Sequence, residues 1–342
     1  MRSPLLLLAL MTACGGNSTD QPSPAPTVTP SATAASYDLH EWGLVSAGPS
    51  AFEVAAGPGQ RPVAIAVDKP VLYVHPQEEA PFDLSIRVSL GAGLEVAEHF
   101  PPTTTSPLEW RVRVGGRCRG TYPTVDDSRC PDGYCETREL PLYETDDAAC
   151  LDLDGVRVPL LFYRLRAAGA APSLPLSVAG SGPDIIVTND SLARPVGSVW
   201  RVTWIGNSTR ASRVDLPGVG EHGRLPAATG SVDQARSALR SSLSERGLSD
   251  AEAAVFTRAW DRALFGGLPQ AVDEDVLRAD EPVDPTSIDE LTDDLPIAEG
   301  APRVRDALLY WLPDSAIEAL ARVEATPAPR GFARAFLVRQ AL

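Results

Sequence analysis

The chain has 342 residues, of which 44% are hydrophobic, and its formal net charge at pH 7 is -15. This length and this apolar content can build one large or two modest globular domains. The excess of acidic residues excludes a nucleic-acid or anionic-lipid surface as the main partner, because both polyanions would repel the protein.

The start of the chain has the order of an export signal. Met1 and Arg2 precede an apolar run over 5–10, and small residues stand directly before Cys14. The run is too short to span a bilayer, which favours a cleaved signal peptide over 1–13. Its end resembles the lipobox of bacterial lipoproteins, and the resemblance implies that Cys14 carries palmitate and anchors the chain to a membrane. An ordinary signal peptide that contains a cysteine by chance is the alternative.

A spacer separates this signal from the rest of the chain. Residues 14–36 begin with Cys14 and then consist almost wholly of Gly, Ser, Thr, Pro, Ala and Asn. Such a composition cannot bury a core, so it predicts a disordered tether. Gly15 after the cysteine resembles the default outer-membrane signal of Gram-negative lipoproteins. That resemblance implies an exported protein anchored in the outer membrane, on its periplasmic or its surface face.

Four further cysteines lie within one short stretch, at Cys118, Cys130, Cys135 and Cys150. An even number in an exported chain predicts two disulfides, for which three pairings are possible. We favour Cys130 with Cys135, because the Pro-Asp-Gly turn between them can bring them together, and this leaves Cys118 with Cys150. A four-cysteine zinc site is the alternative, but the usual paired two-residue spacing is absent.

From residue 37 to residue 229 the sequence indicates β structure. Short runs rich in Val, Ile and Leu are separated by Pro, Gly and Asp, as in strands joined by turns. Within 82–90, Leu84, Ile86 and Val88 alternate with polar residues, which predicts a half-buried strand. The predicted strands are 63–67, 71–75, 82–90, 110–114, 156–164, 184–188 and 199–205.

After residue 230 the pattern becomes helical. Helices are predicted over 232–246, 250–265 and 315–320, because a capping box precedes helical spacing in each case. These boxes pair Ser231 with Gln234, Ser249 with Glu252, and Ser315 with Glu318. Closing strands are predicted over 307–313 and 333–339.

The segment 271–302 is strongly acidic and contains Arg278 as its single base. Such a run predicts a solvated, mobile excursion. A calcium site is the alternative, but no part of the segment has the spacing of a calcium-binding loop.

Together these elements predict an α+β fold. We expect a mainly antiparallel, β-sandwich-like domain over 37–229 that contains both disulfides. We expect an appended C-terminal helical segment over 230–342, with the acidic excursion and the closing strands.

A set of short motifs extends over most of the chain after the spacer. They are His40-Glu41-Trp42-Gly43, Lys69-Pro70-Val71-Leu72-Tyr73, Glu109-Trp110, Leu161-Phe162-Tyr163-Arg164, Gly247-Leu248, Glu252-Ala253, Trp260-Asp261, 308–313 and 326–329. The set resembles an uncharacterised bacterial family of exported proteins, found in myxobacteria and planctomycetes, that opens with the same His-Glu-Trp-Gly. The resemblance implies a shared architecture and no particular chemistry. The chain departs from the family at 44–46, where Leu-Val-Ser replaces Thr-Phe-Thr.

The candidate catalytic or metal-binding residues are His40, Glu41, His75 and Glu109. Imidazole and carboxylate groups could form a metal or acid–base cluster for hydrolysis. Neighbouring residues of a strand point to opposite faces, so His40 and Glu41 cannot both reach one metal without a bulge. A hydrogen-bonded polar residue beside a core tryptophan is the alternative for His40, and His75 has the same two interpretations.

The expected function is that of a binding or scaffolding module of the cell envelope without catalytic activity. A tethered, disulfide-bonded domain that lacks a recognisable catalytic motif favours an envelope protein or a glycan as partner, and no cofactor. One alternative is a metal-dependent extracytoplasmic hydrolase that uses His40 and His75. Another is a carbohydrate-binding module, for which the candidate residues are Trp42, Trp110, Trp200 and Trp204.

Overall fold

The computed structural model describes residues 36–49, 63–120, 122, 140–168, 172–179, 185–190, 196–205, 208–216, 218–266 and 304–342. These residues belong to one compact unit, Ala35–Leu342. No helix within these ranges is long and apolar enough to cross a membrane. The predicted signal peptide, Cys14, Cys130, Cys135 and the acidic excursion lie outside the described residues.

Strands make up most of the described fold. They are β1 (Tyr37–Pro49), β2 (Val63–Pro76), β3 (Phe82–Leu90), β4 (Leu94–Phe100), β5 (Thr104–Thr105), β6 (Leu108–Val114), β7 (Leu151–Leu153), β8 (Val156–Val158), β9 (Leu161–Ala167), β10 (Leu176–Ala179), β11 (Ile185–Asn189), β12 (Ser198–Ile205), β13 (Ser208–Asp215), β14 (His222–Leu225), β15 (Val304–Trp311), β16 (Ala321–Thr326) and β17 (Gly331–Ala341).

The largest sheet has the strand order β13-β12-β15-β17-β1-β2-β9-β4. Strands β1 and β17 are parallel, and the other neighbours in this sheet are antiparallel. A second sheet has the order β16-β3-β6-β7-β8 with β5 beside β6, and a small third sheet has the order β10-β11-β14. Tyr37 of β1 packs against Phe82 of β3, with ring centroids 5.3 Å apart, so side chains from the two larger sheets meet. The predicted α+β, mainly antiparallel fold is confirmed.

The alternation of apolar and polar residues decides which face of each strand is buried. In β3, Leu84, Ile86 and Val88 are buried while Asp83 and Arg87 are exposed, as the sequence predicts. The burial of alternate residues is what a strand with one core face and one solvent face requires.

After the β-rich part, the described residues contain three α-helices, namely α1 (Val232–Glu245), α2 (Asp250–Phe265) and α3 (Asp314–Leu320). The predicted capping box of α2 is present, because the Ser249 side chain accepts from the Glu252 backbone and the Glu252 side chain accepts from the Ser249 backbone. Gly266 ends α2 in the left-handed conformation, with φ of 64°. Glycine adopts this conformation without the steric cost that a Cβ atom imposes.

The capping boxes predicted for the other two helices are wrong. Ser231 does cap α1, but its side chain accepts from the backbone of Asp233 and makes no reciprocal pair with Gln234. Helix α3 begins at Asp314, which places Ser315 inside the first turn, where helical backbone prevents it from acting as the N-cap.

The breaks between predicted strands are wrong at two places. Strand β2 runs through both predicted strands 63–67 and 71–75, because a register shift lies between Val67 and Val71, where Lys69 adopts a φ of 54°. This irregularity inserts extra residues without ending the strand. The predicted strand 156–164 is instead divided into β8 and β9.

The C-terminal strands complete the main sheet. Strand β17 pairs with β1 on one side and with β15 on the other. The segments 37–229 and 230–342 therefore share one sheet. Cys118 and Cys150 form a disulfide, as the favoured pairing expects.

Candidate metal centre

Two histidines from neighbouring strands share one face of the main sheet. In the pairing of β1 with β2, His40 lies opposite Tyr73 and Asp38 lies opposite His75. Since alternate residues of a strand share a face, this diagonal register brings the two imidazoles together. Their ring centroids are 4.3 Å apart.

Helix α2 places a carboxylate over the two histidines. Glu252 lies in the first turn of α2 and is fully buried. Its Oε2 lies 2.8 Å from His40 Nδ1 and also accepts a 2.8 Å hydrogen bond from the backbone N–H of Ser249. Its Oε1 lies 3.0 Å from His75 Nε2. One side chain therefore both caps a helix and joins that helix to two strands.

These three side chains have the composition of a transition-metal site. One ligand atom from each of His40, His75 and Glu252 can be chosen so that all three lie within 4.8 Å of one another, the only such set of His, Cys, Asp or Glu in the described part of the chain. Two imidazole nitrogens and one carboxylate oxygen are ligands that suit zinc and similar divalent ions. The three ligands come from three different elements, so tertiary folding assembles the set.

The contacts within the cluster shift the pKa values of Glu252 and His75. Burial would raise the pKa of Glu252, but the hydrogen bonds from His40 and His75 outweigh burial and lower this pKa to about 2. Burial would lower the pKa of His75, but the hydrogen bond and the negative charge of Glu252, together with the charge and backbone of Asp147, outweigh burial and raise this pKa. The carboxylate is thus ionised, as a metal ligand must be.

Further polar groups surround the two imidazoles. His75 forms a hydrogen bond with the backbone of Asp147, and the Asp147 carboxylate also interacts electrostatically with this ring. Asp38 interacts electrostatically with both histidines and is itself bound by Arg330 and by Gln77. A hydrogen bond from a histidine to a backbone or carboxylate oxygen is what usually fixes the ring of a metal ligand.

The cluster is open on one side. The side chains of His40 and His75 are 13% and 15% exposed, whereas Glu252 has no exposed surface. An ion held by these ligands would be covered by Glu252 on the α2 side and could be approached by water from the histidine side.

Glu41 does not belong to this cluster. It is fully buried on the opposite face of β1, where it accepts hydrogen bonds of 2.5 Å from Tyr163 Oη and from Arg334 Nε. The alternation that separates His40 from Glu41 is therefore observed, and Glu41 forms a buried ion pair instead.

Glu109 lies in β6, in the other large sheet. It forms hydrogen bonds with the Arg87 and Arg111 side chains, which hold the pKa of Glu109 down to about 2. This side chain is part of a surface charge network, and the expectation that it would join His40 and His75 is corrected.

In the sequence, Glu252 was identified only as a capping residue of α2 and was missed as a candidate ligand, because its place in the cluster depends on how α2 packs on the sheet. The Glu252 side chain can cap the helix and also contact both histidines, because each carboxylate oxygen accepts more than one hydrogen bond.

The tryptophans of the β region do not form an open platform. Trp42 and Trp110 are fully buried. Trp200 and Trp204 are half-buried, and the Arg339 guanidinium lies 5.6 Å from the centroid of the Trp204 ring. Sugar recognition by stacking needs exposed aromatic faces, so the geometry of these residues favours a core role.

Comparison of the chain with protein-family models and with curated proteins yields no match.

Proposed function

We propose that this protein is a metal-binding module of the bacterial cell envelope, and that it holds a divalent transition-metal ion between His40, His75 and Glu252. The observation that carries the proposal is the convergence of these three ligand atoms, from two strands and a helix, within 4.8 Å. A buried, ionised carboxylate between two imidazoles is well placed to exchange its hydrogen bonds for bonds to a cation.

The ligand set favours zinc over calcium or magnesium. Imidazole nitrogen suits zinc, copper and nickel, whereas calcium requires six or more oxygen ligands. Asp38 and Asp147 add negative charge around the histidines, and Asp38 forms an ion pair with Arg330. This surplus of carboxylates attracts a cation.

The envelope location is proposed on separate grounds. A disulfide between Cys118 and Cys150 is typical of an oxidising compartment, which agrees with the export signal predicted over 1–13. Radiolabelled palmitate should label the protein in the source cell, and Cys14→Ser should abolish both the label and membrane fractionation. An unlabelled protein, or a variant that still sediments with membranes, would remove the tether from the proposal.

Metal binding is tested on full-length protein in detergent, first stripped with a chelator. Isothermal titration with zinc should give one site per chain. His40→Ala and His75→Ala should each weaken binding by at least ~10-fold, because each removes one of three ligands. Magnesium and calcium should not compete with zinc at comparable concentration.

The matched control is His222→Ala. His222 is exposed, and its Nδ1 pairs with Thr188 Oγ1, on β14 and β11 of the small sheet. It should leave zinc affinity unchanged. The proposed site would be refuted if His222→Ala lost as much zinc affinity as the ligand variants, or if the ligand variants kept the zinc affinity of the parent.

A further inference from the structure

We propose that the metal centre is hydrolytic, and that it cleaves neutral or cationic carboxylic esters or amides bound in the cleft beside His75. This inference rests on the proposed function, because it needs an ion at the three ligands. It goes further by assigning a reaction, a substrate class and a water-positioning residue, Asp147.

The first support is the number of protein ligands. Three ligands leave at least one position of a tetrahedral ion free for water, which is the arrangement of catalytic zinc sites, whereas structural sites have four protein ligands. The partial exposure of His40 and His75 puts that free position on the side that water reaches. Zinc lowers the pKa of its bound water enough to form hydroxide near neutral pH.

The second support is a buried carboxylate oxygen of Asp147, Oδ1, that accepts no hydrogen bond from the described residues. A buried, unsatisfied carboxylate oxygen is unusual, and a functional water is one of the accepted reasons for it. The backbone of Asp147 is bonded to the His75 ring, and its carboxylate interacts electrostatically with that ring; we assign this carboxylate to a hydrogen bond with water on the ion.

The third support is a cleft of 440 Å³ whose lining begins at Pro76, the residue that follows His75 in the chain. Pro76 and Gln77, which follow His75 in the chain, line this cleft together with Asp147. The volume falls within the range of ~300–1,000 Å³ that is common for small-molecule sites. The cleft therefore begins where the chain leaves the proposed metal ligand.

The charges of the cleft select the substrate class. Glu78, Glu79 and Asp147 line it with Arg117, so carboxylates outnumber guanidinium groups. Phosphate esters are anions and would be repelled by the carboxylates that line the cleft and by the net charge of -15. Neutral or cationic acyl compounds are not repelled.

The reaction is a hydrolysis without change of oxidation state. Metal-bound water releases a proton to solvent, and the resulting hydroxide attacks the acyl carbon. The bond from that carbon to the leaving oxygen or nitrogen breaks, and the leaving group takes up a proton from solvent. A new water molecule then replaces the carboxylic acid on the ion. Asp147 acts here as a positioning residue that orients the attacking oxygen by a hydrogen bond.

The test uses zinc-loaded full-length protein and two chromogenic probes, 4-nitrophenyl acetate and bis(4-nitrophenyl) phosphate. The acetate should be hydrolysed faster than in buffer with the same total zinc, and the phosphate diester should not. His40→Ala should remove the activity. With zinc at saturation, Asp147→Asn should lower kcat by ~10- to 100-fold with little change in KM, and its zinc affinity should fall less than that of His40→Ala.

The matched control is Asp146→Asn, since Asp146 is the exposed neighbour of Asp147. It should preserve kcat and KM. Four outcomes would overturn the inference: no rate above the zinc control, activity that survives His40→Ala, faster hydrolysis of the phosphate diester, or equal effects of the two aspartate variants. If zinc still binds stoichiometrically in the first of these cases, the metal-binding function stands and only the hydrolytic inference fails.

Discussion

Replacement of Glu252 by alanine tests the central contact of the structure most directly. In the metal-free protein this carboxylate accepts from the Ser249 backbone and is paired with His40 and His75. Glu252→Ala leaves those groups in a buried place without their acceptor. We expect a large loss of stability, because unsatisfied buried polar groups cost more than the hydrogen bonds themselves contribute.

The expected loss in free energy of unfolding can be estimated from the pKa of the Glu252 carboxyl group. Its pKa falls from the ordinary 4.5 to about 2 on folding, which corresponds to ~3 kcal/mol in favour of the charged form. Removing one partner of a buried ion pair costs ~3–5 kcal/mol in other proteins. We therefore expect the free energy of unfolding of Glu252→Ala to fall by ~3–4 kcal/mol at neutral pH.

The assay is urea unfolding in the presence of a chelator, followed by circular dichroism. Glu245→Ala is the matched control, because Glu245 is an exposed glutamate at the end of α1. The free energy of unfolding of Glu245→Ala should stay within ~0.5 kcal/mol of the parent. A loss below ~1 kcal/mol for Glu252→Ala would show that the buried pairing contributes little, and would refute the reasoning.

The pH dependence of this difference has a definite sign. The folded pKa of Glu252 is lowered, so its contribution is present above 4.5 and is lost as the pH falls towards about 2. The folded pKa of His75 is raised, so its contribution is complete below 6.5 and is lost as the pH rises through the raised value. The stability difference between the parent and Glu252→Ala should therefore be largest between these limits, and a difference that does not vary with pH would contradict it.

Two further predictions concern the elements around the site. Gly247 has a φ of 90° in the turn between α1 and α2, and a Cβ atom there would lie 3.3 Å from the Ala333 Cβ, so Gly247→Ala should destabilise the protein by ~1–2 kcal/mol in thermal unfolding. Gly197→Ala is the control, because nothing lies within 4 Å of an added Cβ, and equal shifts of Tm in the two variants would contradict the prediction. Cys118→Ser should cost ~2–5 kcal/mol by opening the bridge to Cys150, and reducing agent should destabilise the parent at least as much. A parent whose Tm is insensitive to reduction would refute this.

Local patterns were enough to predict much of the fold. The alternation in β3 and the spacing in α2 depend on short-range geometry, which the sequence records directly. Elements that depend on non-local pairing were less predictable. The register shift that keeps β2 continuous, and the insertion of β15 and β17 into the main sheet, arise from partners distant in the chain.

For the candidate site, too, local features could be predicted from the sequence and non-local contacts could not. The sequence alone identified His40 and His75 as candidates and separated His40 from Glu41 by the face of the strand, because side-chain alternation is a local property. It also marked Glu252 as the partner of Ser249, since a capping box spans a single turn. Only the tertiary structure decided that Glu252, rather than Glu41 or Glu109, completes the cluster. That choice depends on the register of β1 with β2 and on the packing of α2 across them, and both are set by contacts between residues far apart in sequence.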